Sequence, residues 1–153
     1  MKHINYQGQK GLSLLEVLIA LVLLAVGLLG IAVLQLTGIR YAHNANIRYQ
    51  AMLQAVDMSD RMRANADGIA AGSYNSISGT GSDPGCISSG CTPAQMAQTD
   101  RYEWNTTNAR VLPNGLGTVV NSGNRFTITV SWREMEGLLT SSTTQQIQLV
   151  FEP

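Results

Sequence analysis

The sequence predicts an α+β fold, in which one long N-terminal α-helix packs on a small antiparallel β-sheet. An apolar run over residues 12–34 is continued by a helical repeat of apolar residues to about residue 66. Apolar and polar residues then alternate over 125–133 and 144–151, which indicates β-strands. At 153 residues the chain has room for one domain and an extension.

Charge is scarce and balanced in this chain. Charged residues make up 13%, about half the usual share, with 10 basic and 10 acidic residues. Glu16 is the single charged residue in the apolar run over 12–34. A zero net charge provides no basic surface of the kind that nucleic acids bind, so direct binding of nucleic acid is not expected.

Three kinds of segment could begin with Lys2 and Lys10 followed by an apolar run. A cleaved secretory signal has an apolar core of about 7–15 residues, whereas this run continues past the small residues at 25–27 where cleavage would occur. A plain membrane anchor needs about 20 apolar residues, and the run is long enough. Neither interpretation explains Glu16, because a carboxylate inside a membrane helix costs up to roughly 3 kcal/mol.

The string Gly11-Leu12-Ser13-Leu14-Leu15-Glu16 resembles the processing signal of type IV prepilins: glycine, an apolar residue, Ser or Thr, two aliphatic residues and glutamate. The resemblance implies a pilin-like lollipop fold, with a head on a long N-terminal helix. It also implies cleavage by a prepilin peptidase between Gly11 and Leu12, on the cytoplasmic side. Leu12 would become the N-methylated terminus, although the family more often has Phe there.

Glu16 is the candidate residue for setting the register between subunits. After cleavage, the new amine at Leu12 would be buried among apolar helices and would need a partner. The Glu16 carboxylate of an adjacent subunit can neutralise that amine and fix the axial position of the helix. In the alternative interpretation, Glu16 simply lies at the headgroup interface of the membrane.

Further patterns resemble the PilV-type minor pilins, the type IV pilus modification proteins: Gly-Leu-Leu-Gly at 27–30, the Gln-, Ala-, Asp-, Arg- and Met-containing stretch over 50–65, and Tyr-Glu-Trp at 102–104. The resemblance implies a minor pilin that acts in initiation of pilus assembly or in pilus modification and could present a tip adhesin. Its partners would be minor and major pilins, the prepilin peptidase and the pilus assembly platform. A minor pseudopilin of a type II secretion system is the alternative, and a bitopic periplasmic enzyme or sensor is a third.

The expected organisation follows from these patterns. We expect a single pass through the inner membrane, a periplasmic head, and later incorporation into a pilus at the cell surface. One face of the head helix should be buried through Ile39, His43, Ile47, Ala51, Ala55, Met58 and Met62. The expected segments are a leader (1–11), a transmembrane or filament-core half-helix (12–38), and a head (39–153) made of a helix (39–66), a loop (67–92), a short helix (93–111) and a β-meander (116–151).

Gly27 and Gly30 interrupt the apolar helix, and each costs about 1 kcal/mol relative to Ala. Small residues at these positions favour close packing between helices. They would equally allow the helix to melt locally when it moves from the bilayer into a fibre.

The two cysteines, Cys86 and Cys91, are close in sequence and follow the apolar run. A tetrahedral zinc site needs about four ligands, and this pair supplies two at most, with His3 and His43 far away in sequence. In an exported chain such a pair is expected to form a disulfide. The sequence contains no motif of a hydrolase, a zinc protease or a phosphate-binding loop, so neither enzymatic activity nor a cofactor or metal is expected.

Cleavage between Gly11 and Leu12 is a testable consequence of the resemblance. We expect Gly11→Val to block processing, since a bulky side chain would not fit where the peptidase accepts glycine, and Gly11→Ala to be processed. Intact-mass spectrometry of the filament-bound chain measures the outcome. A mature wild-type chain that retains residues 1–11 would contradict the prediction.

Overall fold

The computed structural model describes residues 13–136 and 141–153. A long N-terminal helix and an antiparallel sheet confirm the predicted α+β, pilin-like fold. The leader, Gly11 and Leu12 lie outside the described residues. The elements in chain order are α1 (Leu14–Ala64), α2 (Ala66–Ala70), β1 (Ser76–Ile77), α3 (Pro93–Val111), β2 (Leu116–Ser122), β3 (Arg125–Glu136) and β4 (Ser141–Phe151).

The chain divides into two compact units, the first ending at Ala42 and the second comprising His43–Pro153. The division lies within α1, slightly later than the expected boundary between residues 38 and 39. The buried apolar side chains of the described residues lie between Ile47 and Phe151. The second unit therefore has a hydrophobic core of its own.

One face of α1 supplies the helical side of that core. Of the stripe expected to be buried, Ile47, Ala51, Ala55, Met58 and Met62 are 8% exposed or less. Two small alanines in this stripe allow neighbouring side chains to pack close to the helix axis.

The expectation was wrong for two members of the stripe. Ile39 is 68% exposed and belongs to the first unit, outside the core of the second. His43 is the first residue of the second unit and is also exposed. The helical period continues through both residues, but burial begins only at Ile47. The expectation was wrong because periodicity alone does not indicate where packing against the sheet ends.

The sheet has four strands in the order β1-β2-β3-β4, and all of its neighbouring strands are antiparallel. The strands β2 and β3 form a hairpin, while β3 and β4 pair without interruption from Phe126 with Phe151 to Glu136 with Ser141. The inward side chains of β3 are almost completely buried: Phe126, Ile128, Val130 and Trp132. This is the alternation that the sequence predicts.

The segment 67–92, expected to be a loop, contains two short elements. The helix α1 ends at Ala64, and Asn65 caps α2 by accepting a hydrogen bond from the Gly68 N–H at 3.1 Å. Ser76 and Ile77 form β1 by pairing with Val120 and Val119, which adds a fourth strand to the three expected. A two-residue strand is too short to produce an alternating pattern, so it could not be predicted from the sequence.

The helix α3 spans Pro93–Val111, the range predicted from the sequence, and its start is fixed by a capping box. The Thr92 hydroxyl accepts from the Gln95 N–H at 3.3 Å, and the Gln95 side chain accepts from the Thr92 N–H at 3.0 Å. Trp104 in the middle of α3 is fully buried and donates its indole N–H to the Gln54 carbonyl of α1 at 2.8 Å. The Trp104 hydrogen bond holds α3 against α1.

The start of β2 is held tightly against α3. The Asn105 amide accepts from the Gly117 N–H at 2.7 Å and donates to the Gly117 carbonyl at 3.1 Å. A Cβ atom added at Gly117 would lie 2.3 Å from carbons of the buried Trp104 ring. Only glycine fits at this point of the strand.

We therefore expect Gly117→Ala to lower the free energy of unfolding by about 1–3 kcal/mol, the usual cost of forcing extra volume into a packed core. Ser122→Ala on the same strand is the control, because Ser122 is exposed and should change stability by less than about 0.5 kcal/mol. Chemical denaturation of the solubilised full chain measures both. Equal stability of the Gly117 variant and the wild type would contradict the proposed close packing.

Candidate assembly surface

The N-terminal part of α1 exposes its apolar side chains. By length and composition, α1 could cross a membrane, and its most apolar stretch has no buried residue. So large a continuous apolar surface is not stable in contact with water and requires a bilayer or other apolar helices around it. The large apolar residues of the first unit that are exposed include Leu14, Leu15, Val17, Leu18, Ile19, Leu21, Val22, Leu23, Leu24, Val26, Leu28, Leu29, Ile31, Val33, Leu34 and Leu36.

Glu16 lies in the first turn of this apolar helix. Its backbone N–H donates to the Ser13 carbonyl at 2.9 Å, and its exposed side chain makes no hydrogen bond or ion pair within 13–136 and 141–153. A negative charge is favourable in the first turn because the backbone N–H groups there are partly positive. The carboxylate is therefore free to bind a group outside this chain.

A second apolar stripe on α1 lies in the head unit. Tyr49, Met52, Leu53 and Val56 are 62%, 40%, 42% and 37% exposed, and their spacing places them on one face. At about 100° per residue this face lies roughly opposite the buried stripe. We call these four residues the outer stripe.

The outer stripe was not predicted from the sequence. The expectation was that the face of this helix away from the buried stripe is polar, through Arg40, Asn44, Arg48, Gln54, Asp57 and Arg61. The i, i+3, i+4, i+7 spacing of the outer stripe is visible in the sequence. The helix α1 is amphipathic in two directions here, and the longer run of the buried stripe masks the shorter outer one. Apolar surface on α1 thus extends beyond the first unit to Val56.

A group of ion pairs centred on Arg61 fixes the end of α1 to α3. Its guanidinium lies 2.9 Å from an Asp57 carboxylate oxygen, 3.3 Å from Asp100 and 2.8 Å from Glu103. Partial burial alone would lower the pKa of Arg61, but hydrogen bonds to Glu103 and Asp57 outweigh burial and raise the pKa above its usual value. Arg61 thus stays charged, which allows it to neutralise the buried Asp100 carboxylate.

Tyr74 completes this arrangement from the segment after α2. Its hydroxyl donates to the other Asp100 oxygen and accepts from the Asn65 amide at 2.9 Å. Tyr74 is fully buried, and this burial together with the hydrogen bond to Asp100 raises the pKa of its phenol. The phenol therefore stays protonated and acts as a permanent donor to Asp100.

Two family models match the chain. Residues 6–32 match the prokaryotic N-terminal methylation motif, and residues 33–102 match the Tt1218-like family, described as type IV pilin Tt1218. The first match includes the string around Glu16. Together the two matches support a type IV prepilin-like protein over residues 6–102. Among the curated proteins and among the solved structures, no match to it was found.

Two acidic residues near the end of α1 form ion pairs with arginines three or four residues later. Asp57 pairs with Arg61, and Asp60 pairs with Arg63 at 3.0 Å. Within the described part of the chain, no group of three or more His, Cys, Asp or Glu side chains could hold a metal ion. The pilin family indicates a structural subunit rather than an enzyme.

Cys86 and Cys91 form a disulfide that closes a short loop. Cys86 is buried, and its sulfur lies 3.9 Å from the Thr99 hydroxyl of α3. The loop-entropy relation gives a stabilisation of about 2 kcal/mol for so short a loop. The disulfide thus holds the loop before α3 against the head, with Ile87 exposed at its tip.

The raised pKa of Tyr74 predicts how the stability of the head depends on pH. In the unfolded chain the phenol titrates near pH 10, whereas in the fold its pKa is higher. The contribution of Tyr74 is therefore constant below about pH 10 and is lost as pH rises from there toward the folded pKa, by up to about 1.4 kcal/mol per pH unit.

We expect Tyr74→Phe to be less stable than the wild type at pH 7, by about 1–3 kcal/mol, because Asp100 loses a buried donor. That difference should shrink above pH 10. Tyr49→Phe is the control, since Tyr49 is 62% exposed, and its profile should follow the wild type. Denaturation curves between pH 7 and 11.5 measure the effect, and a difference that stays constant across this range would refute it.

Proposed function

We propose that this prepilin-like chain is a minor pilin of a type IV pilus that acts in initiation of assembly or in modification of the pilus. The observation that carries the proposal is the exposed apolar surface of α1, most of which lies within the residues that match the methylation motif. A helix of this kind can lie in a bilayer before assembly and among equivalent helices afterwards. The same apolar side chains are compatible with the lipid bilayer and with packing among other helices.

The leader is proposed to remain cytoplasmic, because Lys2 and Lys10 favour that side of the membrane. The prepilin peptidase would cut between Gly11 and Leu12, and Leu12 would be N-methylated. The head, residues 39–153, would then lie in the periplasm. The disulfide supports this placement, since disulfides persist in oxidising compartments.

Glu16 is proposed to bind the amine at Leu12 of a neighbouring subunit. Its carboxylate has no partner in the described residues, and an ammonium group buried among apolar helices needs one. The two positions are four residues apart, which corresponds to about 6 Å of helix rise, so the pair would fix a stagger between adjacent helices.

The outer stripe supports contacts with other pilins near the head. Tyr49, Met52, Leu53 and Val56 provide an apolar surface that neighbouring subunits would cover. The partners we propose are other minor and major pilins, the peptidase and the assembly platform. The resemblance to PilV-type minor pilins supports a low-copy role in starting the filament, with a tip adhesin as a further partner.

Glu16→Leu tests the charge-pair account. We expect this variant to enter the membrane and to be cleaved normally, because it removes a charge from the apolar run. Its amount in sheared filaments should fall at least about tenfold, since the neighbouring amine would be buried without a partner. Leu23→Ile, which keeps an apolar side chain of the same volume on the same helix, is the control and should assemble. Filament levels of Glu16→Leu equal to the wild type would refute the account.

Deletion of the gene distinguishes the two assembly systems. Loss of surface pili, restored by the wild-type chain, is the result expected for a minor pilin. Loss of exoprotein secretion with normal piliation would instead assign the chain to a type II secretion pseudopilus, which shares the same N-terminal signal.

A further inference from the structure

The strand β4 forms one edge of the sheet. It pairs with β3 on one side, and no other described strand pairs with its opposite side. It is 11 residues long, which is about 36 Å at about 3.3 Å per residue. The opposite edge is β1, which has 2 residues.

The backbone groups that β4 leaves unpaired follow from the pairing pattern. The Arg133 N–H donates to the Pro113 carbonyl at 2.7 Å. Pro113 lies just before β2 in the chain, so the Arg133 N–H points toward the β2 side of β3 and away from β4. Its partner in the register, Thr144, is therefore in a non-hydrogen-bonded pair, and the N–H and C=O of Thr144 point outward. By the same alternation, Gln146, Gln148 and Val150 also point their backbone groups outward.

Natural sheets normally protect a long edge with charged side chains, proline or a β-bulge, or keep the edge strand very short. The strand β1 is short, but β4 has none of these protections. Its sequence, Ser-Ser-Thr-Thr-Gln-Gln-Ile-Gln-Leu-Val-Phe, contains no charged residue and no proline. Its pairing with β3 is continuous, so it has no bulge. An unprotected edge of this length in an exported protein indicates that a strand covers it.

The inner face at this edge is also incomplete. On β3, Ile128 and Val130 are fully buried, whereas their partners on β4, Leu149 and Ile147, are only half-buried. A further strand beyond β4 would place its own inward side chains beside Ile147 and Leu149. Apolar residues at alternate positions of that strand would complete the burial.

We propose that β4 accepts one extended strand from a different subunit of the pilus, by β-strand addition. The donor is an uncharged segment with apolar residues on its inner face and polar residues on its outer face. This inference rests on the proposed function, because it takes the partner to be a pilus subunit.

A second copy of this chain fits the edge poorly as a donor. Its β1 is too short to cover β4. Pairing of β4 with β4 in antiparallel fashion would need a two-fold axis, whereas neighbouring subunits along a filament are related by a rotation and a rise. The donor is therefore a strand of another protein.

Gln146→Pro tests the proposal, because proline removes an outward N–H without removing a hydrogen bond to β3. Gln146→Thr is the matched control, since it also loses the glutamine side chain but keeps the N–H. Both variants of the full chain are produced in the native bacterium, and resistance of the head to limited proteolysis reports on folding. We expect the proline variant to fall about tenfold in sheared filaments relative to the threonine variant.

A photo-crosslinking residue placed in turn at Thr144, Gln146 and Gln148 gives a second measurement, which does not depend on the folding of the proline variant. We expect the crosslinks to map to one segment of one other pilus subunit, at positions that shift in steps of two along that segment. Crosslinks scattered over several proteins, or none, would overturn the proposal. So would crosslinks to a second copy of this chain, or equal filament levels of the proline and threonine variants.

The experiments distinguish failure of strand addition at β4 from failure of the proposed minor-pilin function. If the wild-type chain is absent from filaments and its deletion leaves piliation intact, the minor-pilin role is wrong. A stepwise crosslink pattern to a membrane-bound protein outside the pilus would then retain strand addition but reject a pilus subunit as donor.

Discussion

Burial of α1 is the constraint on which the rest of the structure depends. The helix presents apolar side chains along its whole length, but the chain buries only one face of it, from Ile47 to Met62. The head forms around that face. The Trp104 indole of α3 donates a hydrogen bond to the backbone of α1, and the inward side chains of β3 form the opposite side of the core. The remaining apolar surface must be covered by a bilayer or by other subunits.

Elements that are specified by residues close together in the sequence could be predicted from it. Thr92 followed by Pro93 marks the start of α3, because a capping hydroxyl and a proline in the first turn both favour a helix start. The alternation over 125–133 identifies β3, since a strand with one buried face must repeat every two residues. The processing string and Glu16 were equally visible, and the match to the methylation motif covers them.

Features that depend on contacts between distant residues were not predictable. The strand β1 exists because Ser76 and Ile77 meet β2, a pairing that leaves no pattern in two residues. The ion pairs of Arg61 join α1 to residues about 40 positions later, and nothing in the spacing of Asp100 and Glu103 indicates that. The exposure of Ile39 and His43 likewise reflects where the head core ends, which periodicity does not encode.

Two surfaces of the chain lack a partner within the described residues, and they differ in physical character. The apolar surface of α1 is attracted to any apolar environment, because the hydrophobic effect is not directional. That tolerance suits the proposed function, in which the helix would leave a bilayer and enter a filament. The edge of β4 offers outward N–H and C=O groups at a fixed spacing, so it discriminates by register and strand direction. The helix would therefore supply most of the free energy of assembly, whereas the edge would determine which subunit is the neighbour.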